Sequence, residues 1–230
     1  MENKKKKRYG IVAALLLLVL AAGVGTYAWL TAQSGLTNNF TTAGINKPTT
    51  DPDNPGQPIP DDNTKVNGNL TETKWVANSK LAPGVSVDKN PNVGIGKESE
   101  NAYVYVYVKN NTASTEATDS RTTYFTINSG WKAVNATAVA DEPTHYLGGL
   151  FVYVGNGTEA TPLIASKTED KWTGELFSKV TTPKETEQKD FANPAKIEVN
   201  CFIYAADETT EGSSASALAA AQTWAAGLNS

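Results

Sequence analysis

The chain has 230 residues, of which 40% are hydrophobic, and it carries a formal net charge of −4. That length and apolar content are enough for one sizeable core, and all-β domains of this size are common as single units. The acidic balance argues against nucleic acid as a partner, because binding to phosphates needs a surplus of Lys and Arg.

The first 28 residues have the three parts of a secretory signal. Five consecutive basic residues, Lys4 to Arg8, precede an apolar run from Ile11 to Gly25. Thr26 and Ala28 then stand at the positions that a signal peptidase recognises, and we predict cleavage between Ala28 and Trp29. Cleavage removes five basic residues and one acidic residue, which changes the net charge from −4 to −8.

A retained membrane anchor is the alternative for the same segment. Extended to Leu30, the apolar run is about 20 residues long, which is enough to span a bilayer. The basic end would then stay inside by the positive-inside rule. In either case the sequence predicts a protein that works outside the cytoplasm and meets a membrane only through this leader.

After the leader, the sequence predicts one strand and one long loop. Gly35 to Ile45 is predicted as the first strand of the mature domain, with Leu36, Phe40 and Ile45 as its apolar residues. Residues 46–63 contain five prolines, which exclude a helix or a central strand and favour an exposed, polyproline-II-like loop. Its acidic residues lack the spacing of an EF-type calcium loop, so solvated carboxylates are the simpler interpretation. They are Asp51, Asp53, Asp61 and Asp62.

Short strands and turns are predicted from residue 70 to residue 205. In chain order the strands are Leu70 to Val76, a short pair within Val85 to Ile95, Ala102 to Val108, a hairpin of Thr122 to Asn128 with Trp131 to Val134, Tyr146 to Val154, Trp172 to Val180, and Ala195 to Ala205. Ala102 to Val108 is the strongest, because both of its faces are apolar, and it is predicted to lie centrally between two layers. Cys201 is the only cysteine, so there is no internal disulfide; a buried strand position explains it better than a reactive thiol.

The tyrosines of the strongest strand are the candidate ligand face. Tyr103, Tyr105 and Tyr107 share one side of the strand. If exposed, they would offer a flat platform for a sugar, as would loop aromatics such as Trp131 and Trp172. A cross-strand packing face is the alternative, and a buried ladder would remove the ligand option.

An alanine-rich run closes the sequence. Residues 213–228 predict a helix with a serine N-cap, packed against a sheet edge. The residues on its apolar face are Leu218, Ala221, Trp224, Ala225 and Leu228. The whole pattern predicts an all-β, jelly-roll-like antiparallel β-sandwich over residues 29–230, with this C-terminal helix at one side and a hydrophobic signal helix before it.

Three groups of residues resemble one known family. The first comprises Gly25-Thr-Tyr-Ala-Trp-Leu-Thr31 and Asn38-Asn-Phe-Thr-Thr-Ala-Gly-Ile45; the second Leu81-Ala-Pro-Gly84, Asp88-Lys-Asn-Pro-Asn-Val93 and Ala102-Tyr-Val-Tyr-Val106; the third Tyr204-Ala-Ala206 and Ala221-Gln-Thr-Trp-Ala225. They are similar to segments of the TasA/BsaA-type biofilm matrix proteins of Gram-positive bacteria, a camelysin-related family processed by the SipW type of signal peptidase. The chain departs from the family leader, Thr-Tyr-Ala-Tyr-Phe-Thr-Asp, at Trp29 to Ala32.

The resemblance implies a secreted structural protein of the extracellular matrix or cell surface. Its partners would be a SipW-type peptidase and copies of itself or homologous matrix subunits. Because a sandwich has edges that invite strand addition, the first mature strand is expected to complete the sheet of the next subunit, tethered by the Pro-rich loop. Such a head-to-tail contact builds a fibre. The alternative is a monomeric surface adhesin or carbohydrate-binding sandwich, with or without a membrane anchor.

No catalytic motif is present. Some relatives in that family are classed as metallopeptidases, but this chain has one histidine, His145, and lacks the His-Glu-x-x-His pattern of a helical zinc site. It also lacks a Gly-x-Ser-x-Gly elbow, and Gly94-Ile-Gly96 is too short for a phosphate-binding loop. We therefore expect no enzymatic activity, no metal and no cofactor.

Overall fold

The computed structural model describes residues 33–40, 44–62, 65–76, 79–206 and 212–228. The predicted signal peptide, with its cleavage residues Thr26, Ala28 and Trp29, lies outside the described residues. Among the residues that are described, no helix is long and apolar enough to cross a bilayer.

Eleven strands and one α-helix are formed within the described ranges. They are β1 (Gln33–Phe40), β2 (Val66–Asn67), β3 (Leu70–Thr71), β4 (Ser86–Asp88), β5 (Asn92–Ile95), β6 (Ala102–Ala113), β7 (Trp131–Val139), β8 (Glu142–Tyr153), β9 (Lys171–Glu175), β10 (Lys179–Thr181), β11 (Phe191–Ala205) and α1 (Ser214–Gly227). The predicted all-β fold with a C-terminal helix is confirmed. The single strand predicted for Trp172 to Val180 is two strands in the structure, β9 and β10.

The strands form one large sheet and two small ones. The large sheet has the order β1-β11-β6-β8-β7, and the small sheets have the orders β2-β3-β5-β9 and β10-β4. Every pairing is antiparallel except that of β1 with β11, which is parallel. The two strands predicted within Val85 to Ile95 therefore do not pair with each other, since β4 and β5 belong to different sheets.

Two apolar layers lie on the two faces of the large sheet. The main core fills the space between this sheet and the small sheets, and it includes Val104, Val106 and Val108 of β6. The second layer lies between the opposite face and α1, and it includes Tyr105 and Tyr107. The alternation of Val and Tyr thus serves two cores, and the predicted central position of β6 is confirmed.

The predicted hairpin of Thr122 to Asn128 with Trp131 to Val134 is wrong. Residues 122–128 form only isolated bridges, at Tyr124 and Phe125, and β7 pairs instead with the following strand, β8. Close approach of these two strands depends on Gly149, whose φ is +122° and where a Cβ would lie 2.4 Å from the Asn135 carbonyl oxygen. Only glycine fits at this position, so Gly149 permits the pairing of β8 with β7.

Helix α1 packs against a sheet face, where an edge was predicted. Ala217, Ala221 and Ala225 recur every four residues and are buried against the Tyr105 and Tyr107 side of the sheet. Their small size lets the helix backbone come close to the tyrosine rings. The Ser213 hydroxyl accepts a hydrogen bond from the Ser216 backbone N–H at 3.3 Å, as the predicted N-cap requires.

Candidate functional site

The β1 side of the large sheet is the part of the fold that bears on the predicted function. Strand β11 has 15 residues and pairs along most of its length with β6. On its other side it pairs with β1 from Gln33 beside Lys196 to Phe40 beside Ile203. β1 is thus the outermost strand of the sheet, and it occupies the backbone groups that β11 would otherwise leave unpaired.

The register of β1 pairs two of its apolar residues with core residues of β11. It sets Leu36 beside Val199 and Phe40 beside Ile203. Val199 and Ile203 belong to the main core, with 0% exposure each. The third residue predicted for this strand, Ile45, lies beyond β1 and packs against the main core in partly buried form. The predicted strand therefore ends at Phe40, and Ile45 belongs to the body of the domain.

The opposite edge of the sheet, formed by β7, is irregular. Strand β7 has no further partner among the described residues, and its pairing with β8 shifts register at three places between Ala133 and Val139. Such bulges twist an edge and interrupt the regular row of donors and acceptors that an added strand needs. Strand addition is therefore better accommodated beside β11 than beside β7.

The chain is fastened to the body immediately after β1. The Gly44 carbonyl accepts a hydrogen bond from the Glu100 N–H at 2.9 Å, and the Asn46 N–H donates to the Ser99 hydroxyl at 3.0 Å. Only residues 41–43 separate β1 from this anchored segment. The expectation that the whole Pro-rich loop tethers the strand is therefore wrong.

Asp170 holds the start of the Pro-rich loop. Its carboxylate accepts hydrogen bonds from the Thr49 and Thr50 N–H groups at 2.6 and 2.8 Å, and from the Thr50 hydroxyl at 2.8 Å. The Lys97 N–H donates to its second oxygen at 3.0 Å. Burial alone would raise the pKa of Asp170, but these donors together outweigh it and lower the pKa below its ordinary value.

Replacing Asp170 by alanine is expected to lower the free energy of unfolding by about 2 kcal/mol at pH 7, because several charge-assisted hydrogen bonds are lost. Since the folded-state pKa is depressed, this contribution is present above the unfolded pKa, near 4, and disappears as the pH falls through the lower folded value. Urea titrations of both proteins at several pH values measure this. Glu169→Ala is the control, because Glu169 is exposed and pairs only with Lys171 in the described part of the chain; equal losses in both variants would contradict the assignment.

Two of the four acidic residues in the loop are not solvated as predicted. Asp51 is buried and accepts hydrogen bonds from the Asp53 N–H and the Asn54 amide, both at 2.9 Å. Asp53 contacts Thr73 and accepts from the Asn90 amide at 3.1 Å. Asp51 therefore holds the loop in shape, and Asp53 connects the loop to the body of the domain. The described residues contain no group of three or more His, Cys, Asp or Glu side chains that could hold a metal ion.

The tyrosine ladder is not an exposed ligand platform. Tyr105 is 0% and Tyr107 9% exposed, because α1 covers both, and Tyr103 is only partly accessible beside them. Trp224 of the helix meets Tyr107 edge to face, with ring centroids 6.4 Å apart. The flat exposed patch that a sugar site needs is absent here, and the ladder packs a second core. The two aromatics predicted in loops both lie in strands: Trp131 in β7 is buried at 6% exposure, and Trp172 in β9 is partly buried.

The buried Tyr105 hydroxyl lowers the stability of the folded protein. It is buried without a hydrogen-bond partner among the described residues, and burial raises the pKa of Tyr105 to about 12. Tyr105→Phe is therefore expected to raise the free energy of unfolding by about 1 kcal/mol, because an unsatisfied buried hydroxyl is removed. Urea unfolding measures the change, and Tyr103→Phe on the same face is the matched control with no expected effect. A loss of stability in Tyr105→Phe would reveal a partner for this hydroxyl.

His145 and Cys201, the one histidine and the one cysteine, lie in different surroundings. His145 stacks on Tyr124 with ring centroids 4.0 Å apart, and its Nδ1 lies 3.3 Å from a Glu142 oxygen. Cys201 is 0% exposed on β11, which confirms the buried strand position predicted for it. His145 belongs to a side-chain stack, and Cys201 lies in the main core, so these two residues have separate surroundings.

Sequence reasoning did not single out two polar features of the structure. One is Asp170, whose partners precede it by more than 70 residues. The other is a fully buried pair, Lys89 and Glu72, with Trp75 beside it. The only sequence signal for the pair is the Lys89-Asn-Pro91 run, which entered the analysis as part of the family resemblance.

The described residues form a β-sandwich in which one helix covers a sheet face. Its edge strand β1 is connected to the body through residues 41–43. Comparisons with protein-family models, with curated proteins and with solved structures give no match to this chain.

Proposed function

We propose that this chain is an exported structural subunit of an extracellular matrix or surface fibre, and that its copies are joined by exchange of β1. In this arrangement β1 of one copy pairs with β11 of the next copy in the register that it has within one chain. The proposal includes removal of the leader by a SipW-type signal peptidase, which frees the start of the mature chain. It includes no enzymatic activity.

The observation that carries the proposal is the attachment of β1. It is an outermost strand, it runs parallel to β11, and residues 41–43 alone connect it to a segment anchored at Gly44. Removing it from its own sheet leaves the Gly44 and Asn46 contacts of the body in place. Exchange then forms the same β1–β11 contacts between chains that exist within one chain, so little contact energy separates the two forms and concentration decides between them.

Electron microscopy of two chains tests the proposal. The mature chain, residues 29–230, is expected to form filaments, and a chain of residues 41–230 is expected to form none. The deletion stops before residue 44, because Gly44 and Ile45 belong to the body. Filaments formed by residues 41–230 would overturn the proposal.

A second variant covers the case in which the shortened chain fails to fold. Leu36→Asp with Phe40→Asp keeps the full mature chain and changes the two positions of β1 that are in register with Val199 and Ile203 of β11. It is expected to abolish filaments, whereas Ser34→Asp with Asn38→Asp, at two positions of β1 that already carry polar residues, should weaken them less. N-terminal sequencing of filaments from culture medium should give Trp29 first. A full-length chain confined to the membrane fraction, without filaments, would favour the anchored surface domain.

A further inference from the structure

Two ionisable side chains are in contact deep inside the domain. Glu72 follows β3 and Lys89 follows β4, and their side chains are 0% and 1% exposed. The Lys89 Nζ lies 2.6 Å from a Glu72 carboxylate oxygen. Trp75, itself 3% exposed, places its ring centroid 4.8 Å from the same nitrogen. An amine and a carboxyl group thus meet in a site that bulk water does not reach.

Burial makes the charged form of Lys89 less favourable. It lowers the pKa of Lys89, although attraction to Glu72 opposes the shift. In a medium of low polarity, moving one proton from the ammonium to the carboxylate removes both charges at once. The resulting neutral amine and carboxylic acid are the two reactants of an amide condensation. The geometry brings the two reacting groups together at an effective concentration that solution cannot match.

We propose that Lys89 and Glu72 become joined by an intramolecular isopeptide bond. The Nζ lone pair attacks Cδ of the Glu72 carboxylic acid and forms the new C–N bond. The C–O bond to the hydroxyl then breaks, and the hydroxyl leaves with one proton of the amine as water. The reaction needs no oxidant, reductant or further reactant. Once the water has left the closed interior, the reverse hydrolysis lacks its reactant at the site.

The pair of Lys74 and Glu175 lacks the burial that the proposed bond needs. Lys74 also contacts a carboxylate, that of Glu175, but its side chain is 49% exposed. Its hydrogen bond with Glu175 raises the pKa of Lys74 against a smaller effect of burial, so its amine stays protonated and is no nucleophile. Lys74 therefore serves as a control within the same protein.

The bond would close a covalent loop between two segments of the smaller sheets. Its ends are 17 positions apart in the chain. The chain has one cysteine and therefore cannot form an internal disulfide. An isopeptide bond would give it a covalent cross-link of another kind. The inference does not depend on the fibre, and it holds equally for a monomeric domain.

Intact-mass spectrometry of the denatured, purified chain tests the proposal. The measured mass is expected to fall below the sequence mass by one water, while Lys89→Met matches its own sequence mass. Tryptic digestion locates the bond. The peptide 66–74, which contains Glu72, should be joined to the peptide 81–97, in which Lys89 resists cleavage. Cleavage after Lys74 should remain complete.

Each result decides the matter. A mass equal to the sequence mass, with a free peptide 81–89, would overturn the proposal and leave an ordinary buried ion pair. A mass lower by one ammonia would overturn Glu72 as the partner, because that loss marks an amide side chain. If Lys89→Met does not fold, the digest of the unchanged protein still gives the answer.

Discussion

Replacing Glu72 by alanine should lower the free energy of unfolding by about 3–5 kcal/mol, because the Lys89 amine then stays in the interior without this carboxyl group, whether the two groups were joined covalently or only paired. The Lys89 amine is 1% exposed, so without Glu72 it must either stay charged in the interior or give up its proton. Urea or thermal unfolding of the two proteins measures the loss. Because the total stability of a domain is only about 5–15 kcal/mol, partial unfolding of the variant at room temperature would also agree with the prediction.

The control for this variant is Glu159→Ala. Glu159 also pairs with a lysine, since its carboxylate lies 3.0 Å from the Lys132 Nζ, but its side chain is 83% exposed. Solvent screens such pairs, and the expected cost of the control is about 0–1 kcal/mol. If the two variants unfolded at the same urea concentration, the buried pair would have no special role in stability.

Removing β1 should make the thiol of Cys201 reactive. Cys201 is the only cysteine, it is 0% exposed, and its backbone lies between Val106 of β6 and Asn38 of β1. A chain of residues 41–230 should therefore react with a maleimide on the order of 10²-fold faster than the mature chain, which corresponds to about 2.7 kcal/mol of lost protection. No engineered cysteine is needed.

Peptides provide the matched comparison for this experiment. A synthetic peptide of residues 33–40 should restore protection of Cys201, because it can occupy the register of β1. The same peptide with Leu36→Asp and Phe40→Asp should not. Equal labelling rates with and without β1 would show that this strand does not protect β11. This readout is independent of filaments, so it separates strand binding from polymer growth.

The elements predicted best are those whose local pattern agrees with their surroundings. The Tyr and Val alternation of β6 indicates a strand apolar on both sides, and the structure gives it a core on each face. The serine N-cap of α1 is confirmed, whereas its predicted apolar face is confirmed in part: Ala221 and Ala225 are buried with Ala217, and Leu218, Trp224 and Leu228 are only partly buried. What covers the tyrosines could not be predicted, because a period of two in β6 contains no information on a helix 110 residues later.

The failures have physical reasons of the same kind. Gly130 has the φ of +90° that a turn before β7 favours, but the residues before it bridge other parts of the chain: Tyr124 pairs with Thr181 and Phe125 with Tyr146. A lysine in a polar run gives no sign that it will be buried, since the burial of Lys89 depends on Glu72 and Trp75 from another segment. Asp170 likewise depends on partners far along the chain.

The three residues between β1 and Gly44 set a limit on how copies can be arranged. An extended chain from Phe40 to Gly44 reaches roughly 14 Å. Gly44 is anchored at Glu100, close to where β11 ends at Ala205 opposite Ala102. Any copy that receives β1 in the same register must therefore bring that end of its own domain within roughly 14 Å of the donor's Gly44. Neighbours in such an array would therefore approach each other through like ends of their domains, with no long flexible linker between them.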